Sequence, residues 1–452
     1  MGNGVYDLVT MLLFFAALLV SSLVFFSPAR AQDENPLQQW FKDHVKGSFR
    51  YKNFAHFKDT EPEQRTVRQE GILRLEVEQT FLEKWRLFLM PQWKADTANY
   101  TAGGFHDFRD TYLRDSYFSI REGHLKYRGD DFDVSVGKQI YAWGAADGYN
   151  PTDNLNPRNY LDVPEREKMG IFSFAASYFP PDSSITLVVV PFFTPSRLPL
   201  AISRWASTGR EGQRAEALGS DVDADVTIKR REMPGKRLDK IQVGLRGKTT
   251  VSGWDFSLSY FDGYDTLPVI RQIGDDTARP RFNRMRVLGM DFTTTSGKLE
   301  YHGEWAWKIY DGGRSTDILP FVLGGTYTWD QDQVSWLGLD QVIFTLEYGG
   351  EFTLHQRDSR EYKESGIFTR PFQNSILSRL ALKIDEDNEL QIGGNINFHH
   401  HNNSVLQPKY IHKFSDSLKA EAGIQAFWGS QNSFWGKWKR NDRTFVIMTY
   451  LF

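Results

Sequence analysis

The sequence predicts an all-β fold, a transmembrane antiparallel β-barrel of about 18 strands, at the top of a range of about 16–18. Three observations predict it. Apolar residues recur at every second position in about 18 segments of roughly ten residues each. The connections between segments alternate between short turns and long loops. The 452 residues include 34 Phe, 19 Tyr, 13 Trp and 37 Gly, yet the mean hydropathy is -0.48. Such a chain has greasy and wet faces in alternation, not buried helices.

The N-terminus reads as an address. Residues 8–26 are almost unbroken hydrophobic sequence, followed by Ala29 and Ala31 in an A-x-A cleavage pattern and then by Gln32, Asp33 and Glu34. Residues 1–31 are therefore expected to be a secretory signal peptide, although the first seven residues carry no Lys or Arg. The competing reading is an uncleaved helical anchor. Residues 32–46 are expected to be a short N-terminal segment on the periplasmic side, with a helix over 35–46, and the barrel to occupy 47–452.

The strand signal is period 2. Over 71–81, Leu73, Leu75 and Val77 alternate with Arg74, Glu76 and Glu78. Over 298–308, Leu299, Tyr301, Trp305 and Trp307 oppose Glu300, His302, Glu304 and Lys308. In 418–428, Leu418, Ala420, Ala422, Ile424 and Trp428 oppose Lys419, Glu421 and Gln425. Successive strand side chains point to opposite faces, so each segment has one apolar and one charged face. Segments are expected near 47–57, 70–82, 85–96, 117–128, 131–140, 170–179, 184–193, 239–249, 254–263, 283–293, 298–308, 319–329, 341–352, 374–384, 389–398, 404–414, 418–428 and 443–452. Short turns fall at 83–84, 129–130, 180–183, 250–253, 294–297, 385–388 and 415–417. Long loops fall at 141–169, 194–238, 262–282, 353–373 and 429–442, and only 330–340 is longer than its place in the alternation predicts.

In hydrocarbon every backbone N–H and C=O must pair, so a spanning sheet has to close. A soluble sandwich also alternates, but it needs a second sheet to hide so many aromatics. Trp85, Trp93, Trp254, Tyr260, Tyr327, Trp329 and Trp428 lie near strand ends on the apolar face, where an aromatic girdle belongs. Pro91, Pro191 and Pro408 remove ladder donors, so each should sit at a bulge or outside its strand.

Composition excludes several functions. With 54 basic and 57 acidic residues and no long run of like charge, a nucleic-acid partner is not expected. Cysteine is absent, which removes disulfides, thiolate metal sites and cysteine nucleophiles. His399, His400 and His401 are adjacent, but neighbours on an extended chain point apart. Asp153, Asn154 and Asn156 lack calcium-loop spacing. No metal and no cofactor is expected. No G-x-S-x-G or H-E-x-x-H motif occurs. His302 with Glu300 and Glu304 is the best enzyme-like constellation, and pore lining explains it more simply, so the chain is not expected to be an enzyme.

The chain ends in a strand with Met448, Tyr450 and Phe452 on one face. That ending resembles the assembly signal of Gram-negative outer-membrane proteins, and with the leader it makes the whole mature chain resemble the porin-like barrels. The stretch Trp143-Gly144-Ala145-Ala146-Asp147-Gly148-Tyr149-Asn150-Pro151-Thr152-Asp153 is also similar to a segment of alginate-export-like and related proteobacterial porins. The resemblance implies integral residence in the bacterial outer membrane. It also implies partners in outer-membrane lipid, lipopolysaccharide and the assembly machinery. It further implies that the third long loop, 141–169, folds inward as a constriction, with Tyr141, Trp143, Asp147, Tyr149, Asn150, Asp153, Asn154, Asn156 and Arg158 as candidates. A plainer reading is that Asn, Asp, Gly and Pro there build consecutive tight turns.

Strand parity nominates the pore wall: Arg50, Lys52, Arg74, Glu76, Glu78, Arg86, Lys94, His124, Lys126, Arg246, Lys248, Glu300, His302, Glu304, Glu347, Arg379, Lys383 and Glu421. Basic residues slightly outnumber acidic ones, which favours a weak anion preference. The expected function is passive or substrate-selective diffusion of small hydrophilic solutes. An export pore for a secreted polysaccharide is the alternative, and a barrel enzyme a remote one. The charged loop 194–238 is expected to be solvated, to cover the pore mouth or to face lipopolysaccharide.

Overall fold

The computed structural model describes residues 36–60, 63–106, 109–200, 202–206, 227–235, 237–274, 277–313, 315–355, 362–364, 370, 372–399, 403–431 and 433–452. The expected signal peptide and the middle of loop 194–238 lie outside the described residues. A helix, α1 (Pro36–His44), leads into a barrel of 18 strands. These are β1 (Val45–His56), β2 (Val67–Phe81), β3 (Trp85–Asp96), β4 (Phe118–Arg128), β5 (Phe132–Gln139) and β6 (Ile171–Tyr178). There follow β7 (Ser183–Val190), β8 (Gln242–Val251), β9 (Trp254–Tyr264), β10 (Arg284–Ser296), β11 (Leu299–Tyr310) and β12 (Asp317–Asp330). The last six are β13 (Gln341–His355), β14 (Asn374–Lys383), β15 (Asn388–Asn397), β16 (Asn403–Lys413), β17 (Leu418–Trp428) and β18 (Arg443–Leu451).

Each strand pairs antiparallel with its neighbour in sequence, and β18 returns to β1 in the register Ser48↔Leu451 to His56↔Arg443. The seam is locked at its end by Gly47 N–H donating to the Phe452 carbonyl (2.6 Å) and Phe452 N–H to the Gly47 carbonyl (3.0 Å). A closed sheet leaves no unpaired edge, which is what a bilayer demands. The outward parity is apolar and uncovered: Leu245, Leu258, Leu288, Trp307, Leu323, Leu346, Ile396, Val446 and Met448 are exposed. The inward parity carries the charges. The barrel is therefore a transmembrane one, and no described helix is long and apolar enough to cross a membrane. Trp254 and Trp428 stand exposed on the outer face at strand ends, in the girdle position, while Tyr260 is exposed on the same face within β9.

Proline explains where the ladder breaks. At Pro91 the β3–β4 register shifts, Pro191 falls one residue beyond β7, and the β16–β17 pairing skips from Leu406↔Ala426 to Lys409↔Gly423 around Pro408. Pro320 interrupts β11–β12 in the same way, between Trp305↔Phe321 and Lys308↔Ile318. The 330–340 connection is long because it holds a helical turn at Gln331–Val334 and a 3-10 turn at Ser335–Leu337. Helix α1 sits at the short-turn rim, where the Trp40 indole donates to Gln79 Oε1 (2.7 Å).

Two features were not legible in the periodicity. The loops carry small sheets of their own: Val269–Gly274 pairs with Thr277–Arg281, and Arg158–Asn159 with Glu167–Lys168. The wall is also uneven. Strands β5, β6 and β7 have 8 residues each, whereas β2 and β13 have 15.

One glycine is fixed by the sheet itself. Gly137 in β5 has φ of +138°, and a Cβ there would lie 2.2 Å from the Gly123 carbonyl oxygen on β4. Gly137→Ala is therefore expected to destabilise the barrel by about 1–3 kcal/mol through backbone strain alone. Gly247→Ala, at a position with nothing within 4 Å, should change little. Urea titration of the refolded proteins separates the two, and equal midpoints would refute this account.

Candidate functional site: the lumen and its inward loop

The connection between β5 and β6, residues 140–170, lies inside the barrel. Its stem is tied by one side chain. Asn156 Oδ1 accepts from Tyr141 N–H (2.7 Å), while its Nδ2 donates to the Gln139 (3.1 Å) and Met169 (2.8 Å) carbonyls. Asn150 Nδ2 donates to the Ala146 carbonyl (2.6 Å) and Asn154 Nδ2 to that of Pro151 (2.8 Å), so these amides do build tight turns.

Two wall carboxylates then hold the loop by its backbone. Glu304 of β11 accepts from the N–H groups of Ala145 (3.0 Å), Ala146 (3.4 Å) and Thr152 (2.7 Å). It also accepts from the Thr152 hydroxyl (2.8 Å) and the Asn150 amide (3.3 Å). Glu347 of β13 accepts from Asp147 N–H (2.7 Å) and Gly148 N–H (2.9 Å), and its Oε1 lies 2.9 Å from His302 Nε2. Hydrogen bonds to a buried charge are the strong kind, about 1.5–3 kcal/mol each. The close approach requires glycine twice. A Cβ on Gly144 (φ +105°) would lie 2.5 Å from Glu304 Oε2, and one on Gly148 would lie 2.8 Å from Glu347 Oε2.

The other loop candidates are placed as follows. Trp143 is buried against Gly244 of β8, with the Arg246 guanidinium 6.0 Å from its ring. The Tyr141 hydroxyl meets Ser173 Oγ (2.8 Å), and the Tyr149 ring lies 4.9 Å from Phe372. Asp147 takes an ion pair from Arg379 (3.3 Å), and Asp153 takes Arg158 (2.8 Å) and Lys168 (2.7 Å). Asp153 meets both cations through Oδ2, while its buried Oδ1 has no partner, and Asn156 is committed to the stem. Among the described residues no group of three or more His, Cys, Asp or Glu could hold a metal ion; His400 and His401 lie outside them.

The wall candidates divide into two sets. In the short-turn half Glu76, Lys248, Glu300 and Arg379 are exposed to the lumen, with Lys383 half-buried. Paired across strands are Glu78 with Arg86, Lys126 with Asp133 (2.5 Å), Arg246 with Asp291 (3.0 Å) and Lys409 with Glu421 (2.9 Å). His124 packs beside Phe88. Glu304, His302 and Glu347 are buried and Lys94 is largely so; the loops cover them. The grouping of His302 with Glu300 and Glu304 is corrected accordingly. His302 Nε2 partners Glu347, Glu300 stands 3.8 Å from Nδ1, and Glu304 is occupied by the loop.

A second network ties the loop ends to the wall, and strand parity alone did not reveal it. Asp162, in the inward loop, accepts from Arg443 Nη1 (2.7 Å) and Nη2 (2.9 Å) on β18 and from Arg68 on β2. Arg68 continues to Glu70 (2.5 Å), Glu70 to Lys94 (3.3 Å), Lys94 to Asp115 (2.6 Å), and Asp115 to Arg197 (2.6 Å), which also reaches Asp110. Arg68 and Glu70 share the face of Arg74 on β2, which begins three residues before the expected segment, and nothing local marked Asp162 or Arg197 as partners in this network. Above this network Trp205, Trp435, Trp438 and Phe427 pack together, with the Trp438 indole donating to the Trp205 carbonyl (3.4 Å). The lumen is thus crossed by one loop and partly roofed by others.

No family model and no curated protein matches the chain. Among solved structures it is similar to OccK11 (OpdR) of Pseudomonas aeruginosa, at 11% identity and TM-score 0.49 over 91% of this chain and 96% of that one. It is similar to Wzi, an outer-membrane protein involved in group 1 capsule assembly in Escherichia coli, described as a carbohydrate-binding β-barrel. There the identity is 12% and the TM-score 0.47, over 89% and 84% of the two chains. A mutant Rh. blastica porin aligns at 11% identity and TM-score 0.40 over 90% and 99%.

Burial opposes the charged form of Asp162, but Arg443 and Arg68 outweigh it and hold the carboxyl below its ordinary value of 3.8. A depressed folded pKa contributes stability in full above that ordinary value, and the contribution is lost as pH falls through the lower folded one. Thermal midpoints of the refolded protein should hold from pH 7 to about 4 and drop below it. Asp162→Asn should cost about 3–5 kcal/mol at pH 7, chiefly by leaving the buried Arg443 without a carboxylate partner, and should flatten the acid limb. An Asn variant as stable as the parent at pH 7 would rule out the network as a stabilising tie.

Proposed function

We propose that this chain is an outer-membrane channel that passes small hydrophilic solutes selectively, with anions favoured. The observation that supports it is the inward loop, held across a charged lumen by Glu304 and Glu347 through backbone bonds. A loop anchored in this way narrows the path without closing the wall, and it does so in a fixed position. The anion preference rests on cations that form no ion pair among the described residues. These include the wall residues Arg50, Lys248 and Lys383, and basic residues slightly outnumber acidic ones at the inward positions named above. Rings and surpluses of one sign set which ion a pore concentrates.

In this reading residues 1–31 are removed on export, and Met448, Tyr450 and Phe452 face the assembly machinery on the outer side of the seam. Lipid and lipopolysaccharide surround the apolar band. The loop is the selectivity element, so its anchors act on conductance.

In planar bilayers the refolded protein should give stable single-channel steps. In a salt gradient the reversal potential should favour chloride over potassium, and Arg379→Glu should move it toward the cation. Gly144→Ala and Glu304→Gln should both raise conductance and open-channel noise, because each detaches the loop from the same carboxylate. A protein with native heat-modifiable migration and no conductance in either parent or loop variants would sink the channel reading. Block by a uronate polymer from one side, with retained small-ion current, would move the substrate class to polysaccharide.

A further inference from the structure

Three loops line a cavity of about 1010 Å³, open on one side, at the loop end of the barrel. It lies apart from the inward loop and Glu304. Its walls come from the β3–β4 connection (Phe105, Tyr112, Leu113), the β7–β8 connection (Leu198, Leu200, Ile202) and the β9–β10 connection (Phe282). The volume is at the upper end of small-molecule sites, about 300–1,000 Å³. Its lining is apolar, with one basic corner formed by Arg114, Lys229, Arg230 and Arg231.

The charges of that corner are unbalanced. Arg114, Lys229 and Arg230 form no ion pair among the described residues. The Arg231 guanidinium donates to the Thr111 carbonyl. The nearby carboxylates are already engaged, Asp110 and Asp115 by Arg197, and Glu232 lies 3.8 Å from Arg281. Four cations beside an apolar chamber, with no carboxylate paired to them among the described residues, are complementary to an anionic head on a hydrocarbon tail.

The height of the wall says where that ligand would come from. The β3–β4 and β7–β8 connections flank β5, β6 and β7, at 8 residues each the shortest strands of the barrel, and Asp110 of the first reaches Lys138 of β5 (3.7 Å). A tilted strand of that length rises roughly 20 Å, short of an apolar band of about 25 Å. The loops must supply the missing height, and the apolar residues that line the cavity are themselves accessible from outside: Phe105, Tyr112, Leu113 and Ile202 are exposed, Leu113 by 59%. Phe105 continues an aromatic run through Phe118 to Trp93 on the outer face. The cavity therefore stands at the level of the lipid leaflet on the loop side.

We infer that this cavity binds an anionic lipid of the surrounding leaflet, its acyl chain between Leu200, Tyr112 and Phe282 and its headgroup at Arg114, Lys229 and Arg230. The site is independent of conduction through the lumen.

The test uses the full mature chain in phosphatidylcholine nanodiscs, with dansyl-undecanoate as the reporter and empty nanodiscs as the partition blank. Saturable enhancement above the blank is expected. A short-chain phosphatidylglycerol should displace the reporter at least tenfold better than the phosphatidylcholine of the same chain length. The double variant Arg114→Glu/Arg230→Glu, on surface residues that the barrel does not use, should weaken reporter binding at least tenfold with heat-modifiable migration retained. Ile202→Asp, which leaves the basic corner intact, should weaken both competitors equally. No saturable signal, or equal affinity in parent and charge-reversed protein, overturns the proposal. Displacement by dodecanoate but not by phosphatidylglycerol overturns the leaflet source and assigns a free fatty acid.

Discussion

The constraint on which the rest of the molecule depends is that a sheet in hydrocarbon has no water to satisfy its edges. Closure of β18 onto β1 meets it, and closure fixes everything else. Once the sheet is closed, one parity of every strand faces lipid and the other faces the lumen, so the charged residues are driven inward without being buried among apolar ones. An 18-strand barrel is too wide for its own side chains to fill. The lumen is filled from the loops, and the loops need partners for their backbone. The wall charges provide them.

That division of labour explains why the inward charges fall into two kinds. Those in the short-turn half, such as Glu76, Lys248 and Glu300, remain exposed to the lumen. Those under the loops are buried and committed: Glu304 and Glu347 to backbone N–H groups, Glu70 and Asp162 to guanidiniums and ammoniums. A buried ion pair gains little over an apolar one, but removing one member is costly. The Asp162 network therefore acts less as a source of net stability than as a registration device. Only one placement of the inward loop puts its carboxylate between Arg68 and Arg443.

The strands were legible because period 2 is imposed by geometry and closure rewards it at every position. The 330–340 connection and the breaks at Pro91 and Pro408 were legible for the same local reason. Parity also identified Glu304 and Glu347 as inward, but not that loop amides would cover them, since a hydrogen bond between residues more than 150 apart leaves no local trace. Arg197 and Asp115 meet from two different loops, and the shortness of β5 to β7, at 8 residues each, was not visible in segments that the periodicity extends to ten. What escapes the sequence here is long-range contact between polar groups. Unlike an apolar stripe, such a contact has no periodicity to announce it.

The inward loop is built around the two wall carboxylates. In Trp143-Gly144-Ala145-Ala146-Asp147-Gly148-Tyr149-Asn150-Pro151-Thr152, each glycine stands where a wall carboxylate approaches the backbone. Thr152 supplies both a backbone and a hydroxyl donor to Glu304, and Asn150 closes the turn while reaching the same carboxylate. The anchors mostly grip main chain, so the loop's position depends on where its glycines fall, while the Asp147 carboxylate remains available to Arg379. A loop fixed by its backbone can present different side chains to the lumen without losing its seat. That separation between what holds the constriction and what it displays is the property a selective pore requires.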